Sequence, residues 1–185
     1  MIKTVRLVIA KDTEAYHNQA LETFLLESVK DNELILYFWA NKKSVFIGRN
    51  QNPYLELNVE KLYEDGGVFL RRYSGGGAVF HDIGNINYTI ITKEIDYNLD
   101  TFKKAIQKAF KSLDLNITFS GRNDVLLDGA KVSGSAYLSR TINGEVNKLQ
   151  HGTILVSLYP QDIAKYLTPS KSKLIKNGVK SIESR

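Results

Sequence analysis

The chain has 185 residues, 43% of them hydrophobic and 24% charged, with 25 Lys and Arg against 20 Asp and Glu for a formal charge of +5. That length and apolar content suffice to bury one sizeable core in a single domain. Zero cysteines exclude disulfides, thiolate zinc sites and a cysteine nucleophile, no apolar run reaches membrane-spanning length, and Met1–Leu7 reads as a strand rather than a signal peptide.

The positive excess suits an anionic nucleotide or an acidic protein partner, and equally a solvated surface. Basic residues are dispersed except for a lysine-rich stretch from Lys165 to Lys180, so no nucleic-acid footprint is expected.

Val5 to Ala10 is a short apolar strand. Asp12 or Thr13 is placed to cap a helix whose apolar face comprises Ala20, Leu21, Phe24, Leu25 and Val29. Leu34 to Ala40 is a nearly continuous apolar run, expected as a buried strand, and Asn41-Lys42-Lys43 turns it into Ser44–Ile47 as a hairpin. Asn58 caps Val59–Glu64, Gly66-Gly67 ends that helix, and Val68 to Arg72 is the next strand. Strand character resumes at Ala78–Phe80 and Asn87–Thr92, either side of His81-Asp82-Ile83-Gly84. A second amphipathic helix follows, with Asp100 as cap and Phe102, Ile106, Ala109, Phe110 and Leu113 on one face. Strands are expected at 117–119, 124–127, 131–139 and 149–157, with a turn at Ile142-Asn143-Gly144. Short helices are expected at 160–166 and 171–176. Many strands with two substantial helices give an α+β fold with a mixed, largely antiparallel sheet.

Arg71-Arg72-Tyr73-Ser74-Gly75-Gly76-Gly77-Ala78-Val79-Phe80-His81-Asp82 stands apart from this pattern. Three consecutive glycines suit a loop whose backbone N–H groups approach a ligand closely, and such groups can converge on an anion. Arg71 or Arg72 would add a planar fork of donors for phosphate or carboxylate. From the glycines alone, a turn with solvated arginines is the favoured reading. The loop has neither the P-loop pattern nor Gly-x-Gly-x-x-Gly spacing.

Downstream lie Gly121-Arg122-Asn123-Asp124, then Gly129-Ala130-Lys131-Val132-Ser133-Gly134-Ser135-Ala136-Tyr137, then His151-Gly152-Thr153. In that order, with Ile47–Pro53 before them and Gly178–Ile182 after, these blocks resemble the signature of the lipoate–protein ligase family. The resemblance runs from near the N-terminus to the last residue. It implies the biotin/lipoate-ligase catalytic fold, which is class II synthetase-like, with helices packed around the sheet and a ligand cleft beside it. It further implies ATP-dependent activation of lipoate to lipoyl-AMP, then transfer to a lysine of an acceptor domain. Such acceptors are 2-oxoacid dehydrogenase E2 subunits and the glycine cleavage H protein.

Carried over residue by residue, the resemblance makes Lys131 the catalytic cation that bridges the lipoate carboxylate and the α-phosphate. Arg72, Asn123 and the backbone of Gly77, Ala78, Val79 and Phe80 are expected at ATP. Ser74, Gly75, Gly76 and His151 are expected around lipoate, and Asp124 at the Mg²⁺ carried by ATP, with a turn residue as its alternative. Two anions must meet in the first step, so positive charge and N–H donors are needed there. His81 beside Asp82 reads as structural. Leu138 and Ser139 separate Arg140 from the preceding block, so Arg140 receives no ligand role.

No tightly bound cofactor, nucleic acid or membrane partner is expected, and the location implied is cytoplasmic. Family ligases usually continue beyond the segment matching Ser181–Arg185. Residues 1–185 are therefore expected to be the catalytic domain, with a C-terminal accessory domain absent or supplied by a separate subunit, unless the form is single-domain. Three rivals stand beside this reading. An octanoyl or lipoyl transferase of the same fold uses a cysteine, which the chain lacks. A biotin ligase would carry a Gly-Arg-Gly-Arg-type loop. A non-catalytic or transfer-only acyl-adenylate-binding domain is the third.

Overall fold

The computed structural model describes residues 1–121, 124–157 and 164–168. Its strands are Thr4–Ile9 (β1), Glu33–Ala40 (β2), Ser44–Ile47 (β3), Val68–Arg71 (β4), Val79–His81 (β5) and Asn85–Lys93 (β6), then Ile117–Ser120 (β7), Asp124–Leu127 (β8), Ala130–Ile142 (β9) and Glu145–Leu155 (β10). The helices are Ala15–Ser28 (α1), Pro53–Glu56 (α2), Val59–Glu64 (α3) and Leu99–Lys111 (α4). A seven-stranded sheet runs β1-β2-β6-β10-β9-β8-β7, and a three-stranded sheet runs β4-β3-β5. Only β1–β2 and β3–β4 pair in parallel. This is the expected α+β fold with a mixed, largely antiparallel sheet.

Alternation along β2 builds two cores at once, because successive side chains leave opposite faces of a strand. Ile35, Tyr37 and Trp39 are buried against Leu25 and Leu26 of α1 and against Phe46 and Leu70 of the small sheet. Leu34, Leu36 and Phe38 face the other way, toward Phe102 and Ile106 of α4. The small sheet and α1 therefore lie on one side of the large sheet, with α4 on the other.

The expected hairpin between β2 and β3 does not form. The two strands belong to different sheets, and all four residues of β3 are buried. Phe46 packs onto the large sheet, while Val45 and Ile47 pack with Leu62, Phe80 and Tyr166. A strand with two buried faces cannot sit at the edge of a local hairpin. Asn41, fully buried, holds the crossover by accepting from Asn18 Nδ2 at 3.0 Å and meeting His81 Nδ1 at 3.2 Å.

Both long helices depart from the sequence reading in their caps and faces. On α1, Phe24 is 62% exposed and Ala20 is exposed, while Ala15, Asn18, Glu22, Leu25 and Leu26 are buried. The helix is rotated so that two polar residues enter the core. Asp12 Oδ1 accepts from Glu14 N–H just outside the helix, whose own N-cap, Glu14, makes no side-chain capping bond. On α4 the cap is Asn98, accepting from Thr101 N–H at 2.9 Å, and not Asp100, which lies within the first turn. Its apolar face is Phe102, Ile106 and Phe110; Ala109 is exposed, and Leu113, beyond the helix, is 70% exposed.

Asn58 caps α3 as expected, through Lys61 N–H at 3.1 Å. Asn143 and Gly144 both have positive φ, 52° and 84°, which turns β9 into β10 through the tight hairpin that the Asn-Gly pair favours. The helix expected at 171–176 and the Gly178–Ile182 block lie outside the described residues, as does most of the helix expected at 160–166. No helix among the described residues is long and apolar enough to cross a membrane.

Candidate functional site

The glycine loop is wrapped around a buried arginine. Arg72, only 6% exposed, donates from Nε to Ser74 Oγ at 3.0 Å and to the Gly75 carbonyl at 3.2 Å. Its Nη1 donates to Phe46 O, and its Nη2 to Gly75 O and Gly77 O at 2.8 and 2.7 Å. With the carbonyls drawn inward, the N–H groups of Gly75, Gly76 and Gly77 donate to nothing among the described residues, and all three glycines are exposed. Unpaired backbone N–H groups on an exposed loop form a concavity suited to an anion. The Arg72 guanidinium is thus committed to holding that loop. Burial pushes its pKa down to about 10, partly offset by the charge of Glu22, so it stays protonated near neutrality.

Ser74 continues a chain of polar contacts into the core. Its Oγ lies 2.8 Å from His151 Nε2, and His151 Nδ1 lies 2.8 Å from Glu22 Oε1. The same Glu22 oxygen accepts from the Thr89 hydroxyl at 2.7 Å, and Thr89 Oγ1 accepts from Trp39 Nε1 at 3.1 Å. Burial acts to raise the Glu22 carboxyl. The charge and hydrogen bond of His151, with bonds from Thr89 and Gln19, outweigh it and hold Glu22 below its ordinary value. Glu22, Thr89 and Trp39 were not found from the sequence. The available signal was Glu22 itself, an ionisable residue on the stripe that runs through Asn18, Leu25 and Val29.

Lys131 sits on β9, the strand next to that of His151, with Nζ 2.6 Å from Asp124 Oδ1. A regular strand would send Lys131 and Gly134 to opposite faces. The register shift between Val125 and Leu126 sets Gly134 opposite Asp124 and Lys131 opposite Leu126, so both share the face of Asp124. A Cβ on Gly134 would stand 3.3 Å from Lys131 Cε, so glycine leaves room for the lysine stem. Gly134 N–H also donates to Thr153 Oγ1 at 3.4 Å. Thr153 lies two residues beyond His151 on β10, about 7 Å along the same face. The lysine–aspartate pair, His151, Ser74 and the glycine loop therefore line one side of the large sheet.

The remaining expected residues divide. Ala78 leads into β5, the outer strand of the small sheet, where Val79 is half-buried and Phe80 is buried in a stack on Tyr166. Asn123 lies outside the described residues. His81 is buried, stacked on Phe46 with Trp39 at its edge. Burial, with the charges of Arg72 and His151, pushes its pKa down to about 3 and leaves it neutral. Asp82 accepts from Gly84 N–H, as a turn residue does. Arg140 pairs with Glu27 at 2.8 Å and covers the Tyr73 ring.

Among the described residues, no three His, Asp or Glu side chains converge as a metal cage. Asp124 offers a carboxylate beside Lys131, enough for a cation carried on a triphosphate, which needs one or two protein carboxylates.

The family model for the lipoyl protein ligase A/B catalytic domain matches residues 14–185. Lipoate-protein ligase A of Blochmanniella floridana is 35% identical over 98% of this chain and 54% of its own length. A crystal structure of P. falciparum LipL1 in complex with lipoate is similar at a TM-score of 0.80 and 34% identity, covering 90% of this chain and 52% of that one. A bi-partite lipoate protein ligase from Thermoplasma acidophilum, described with its E2 lipoyl domain, is similar at a TM-score of 0.76 and 25% identity, covering 100% and 73%. The chain spans about half the length of the curated relatives it matches.

Proposed function

Since the chain belongs to the lipoyl protein ligase A/B catalytic-domain family, we propose that it carries the centre of an ATP-dependent lipoate–protein ligase. The reaction activates lipoate to lipoyl-AMP, releases pyrophosphate, and passes the lipoyl group to an acceptor-domain lysine. The observation that supports this best is Lys131, held by Asp124 on the sheet face that also carries the unpaired N–H groups of the glycine loop.

A carboxylate approaching an α-phosphate brings two anions together, and a cation with preorganised N–H donors offsets that repulsion as charge develops. Lys131 is the cation, poised between carboxylate and α-phosphate, and its Asp124 partner keeps it oriented until substrate arrives. Asp124 is also the carboxylate available to the Mg²⁺ that enters with ATP. Gly75, Gly76 and Gly77 supply phosphate donors, with Asn123 and the backbone of Ala78 and Val79 assigned to the nucleotide. Ser74 and His151, fixed by Arg72 and Glu22, form the polar wall on the lipoyl side.

The acceptors are lipoyl domains of E2 subunits and the H protein, and the implied location is cytoplasmic. The relatives named lipoate-protein ligase A, the lipoate complex of LipL1 and the bi-partite ligase described with its E2 lipoyl domain support the substrate and acceptor class.

A second reading has a specific motive. The relatives are about twice as long as this chain, and an accessory domain or separate subunit that closes over the site matters most for activation, where water must be excluded. Transfer starts from a mixed anhydride and needs an open approach. The chain is therefore expected to lipoylate an apo acceptor domain quickly from supplied lipoyl-AMP and slowly from lipoate and ATP. Both reactions are followed by the mass shift of the acceptor. Equal rates identify a self-sufficient ligase, and no shift from either donor rejects the ligase reading.

A further inference from the structure

Three arginines stand at the glycine loop and the loop beside it, and two of them are consumed in building these loops. Arg72 holds the carbonyls of Gly75 and Gly77, as described. Arg71 does the equivalent for the neighbouring loop, its Nη1 donating to the carbonyls of Gly48, Arg49 and Gln51 at 3.2, 3.0 and 2.6 Å. That second loop is tightened further by Gly48 N–H on Gln51 Oε1 and Gln51 N–H on Gly48 O. It is then fastened to the glycine loop through Arg49 N–H on Ser74 O at 3.0 Å. The two backbones touch so closely that a Cβ on Gly48 would lie 2.1 Å from Gly76 O.

This rigid loop displays a guanidinium it does not use. Arg49 is exposed, and its side chain bonds to nothing among the described residues. Beside it, Gln51 Nε2 is buried and has no acceptor. A fixed loop carrying one free fork of charged donors and one orphaned amide, fastened to the loop that carries three unpaired backbone N–H groups, is a site for several phosphate oxygens. A solvated surface arginine would need none of this bracing.

We propose that Arg49 binds the pyrophosphate portion of ATP and is a catalytic residue of the adenylation step alone; this rests on the ligase reading above. In that step the lipoate carboxylate oxygen bonds to the α-phosphorus. The bond from that phosphorus to the bridging oxygen breaks, and the electron pair leaves with pyrophosphate. Negative charge grows on the departing group, where Arg49 and the loop N–H groups meet it, while Lys131 serves the α-phosphate. The transfer step involves no pyrophosphate and does not call on Arg49. A nucleic-acid phosphate is a poorer occupant, because the free donors are one arginine and one short loop rather than a basic stripe.

The test compares Arg49→Ala and Arg49→Lys with the wild-type chain. Arg49→Ala is expected to slow pyrophosphate release from lipoate and ATP by about a hundredfold, the scale of losing one oxyanion donor. Transfer from supplied lipoyl-AMP should stay within twofold, and Arg49→Lys should restore part of the first activity. Equal losses in both half-reactions, or unchanged pyrophosphate release, overturn the proposal. Calorimetric titration with inorganic tripolyphosphate is independent of turnover. The wild type should bind it at least tenfold more tightly than Arg49→Ala, and equal affinities overturn the assignment. A wild-type chain that binds tripolyphosphate in this Arg49-dependent way but lipoylates nothing from either donor sinks the ligase reading and leaves the phosphate site standing.

Discussion

Gly76 and Gly77 are neighbours with opposite demands, and alanine at each separates two roles of the loop. Gly76 has φ of +101°, and a Cβ there would lie 2.7 Å from Arg72 Nη2. Holding alanine at that φ costs about 1–3 kcal/mol. Moving the guanidinium away breaks its bonds to Gly75 O and Gly77 O, charge-assisted contacts worth about 1.5–3 kcal/mol. The combined loss for Gly76→Ala is roughly 3–5 kcal/mol, a drop of about 1.5–2.5 M in the urea midpoint at a slope near 2 kcal/mol/M. At Gly77 nothing lies within 4 Å of the added Cβ and φ is not positive. Gly77→Ala should unfold within about 0.5 kcal/mol of wild type, yet bind tripolyphosphate more weakly, because that open space is the space a ligand uses. Urea melts by circular dichroism and calorimetric titration provide the two readouts. Equal midpoints for the two variants would refute the account of the loop as a shell around Arg72.

Lys131→Ala should cut adenylate formation by a few hundredfold, about 3–4 kcal/mol, with an unchanged thermal midpoint; near-normal pyrophosphate release would remove Lys131 from the chemistry. Glu22→Gln should destabilise the fold by about 1–3 kcal/mol at pH 7 by weakening the buried bonds to His151 and Thr89. Because the folded-state pKa of Glu22 is depressed, this contribution is complete above its ordinary value of 4.5 and fades as pH falls through the lower folded value. Urea melts of both proteins at pH 7 and pH 3 should show the gap closing in acid. A gap independent of pH contradicts the linkage.

The strands were legible wherever one period governed them. The strand at Leu34–Ala40 and the Asn143-Gly144 turn could be read directly, since a nearly continuous apolar run and a turn-forming pair are local properties. What escaped was set by distant partners. The Asn41–Lys43 segment has turn composition, but whether β3 folds back on β2 depends on what covers its two faces, and those residues come from α3, β5 and Tyr166. On α1, helical spacing puts Phe24 on the apolar face, while Asn18 and Glu22 occupy the core because Tyr37, Thr89 and His151 supply their hydrogen bonds. The site shows the same division. The glycine loop and Lys131 were visible as motifs, but the commitment of Arg71 and Arg72 to carbonyls was not, since the same residues could have faced a ligand. Only their placement within bonding distance of Gly48, Gly75 and Gly77 distinguishes a scaffold arginine from a binding one.

The contact between Glu22 and His151 ties the site to long-range closure of the chain. The two residues are 129 positions apart, and closing a loop of that size costs about 4 kcal/mol in chain entropy before any contact repays it. The β9–β10 hairpin closes through a local turn, whereas the Glu22 carboxylate, which meets Gln19 within its own helix, reaches Thr89 and His151 only with α1 seated on β6 and β10. The contacts of Ser74, His151 and Glu22 therefore depend on tertiary closure of the chain, and no local segment carries the polar wall by itself. On a ribosome Glu22 emerges first, and its histidine follows 129 residues later.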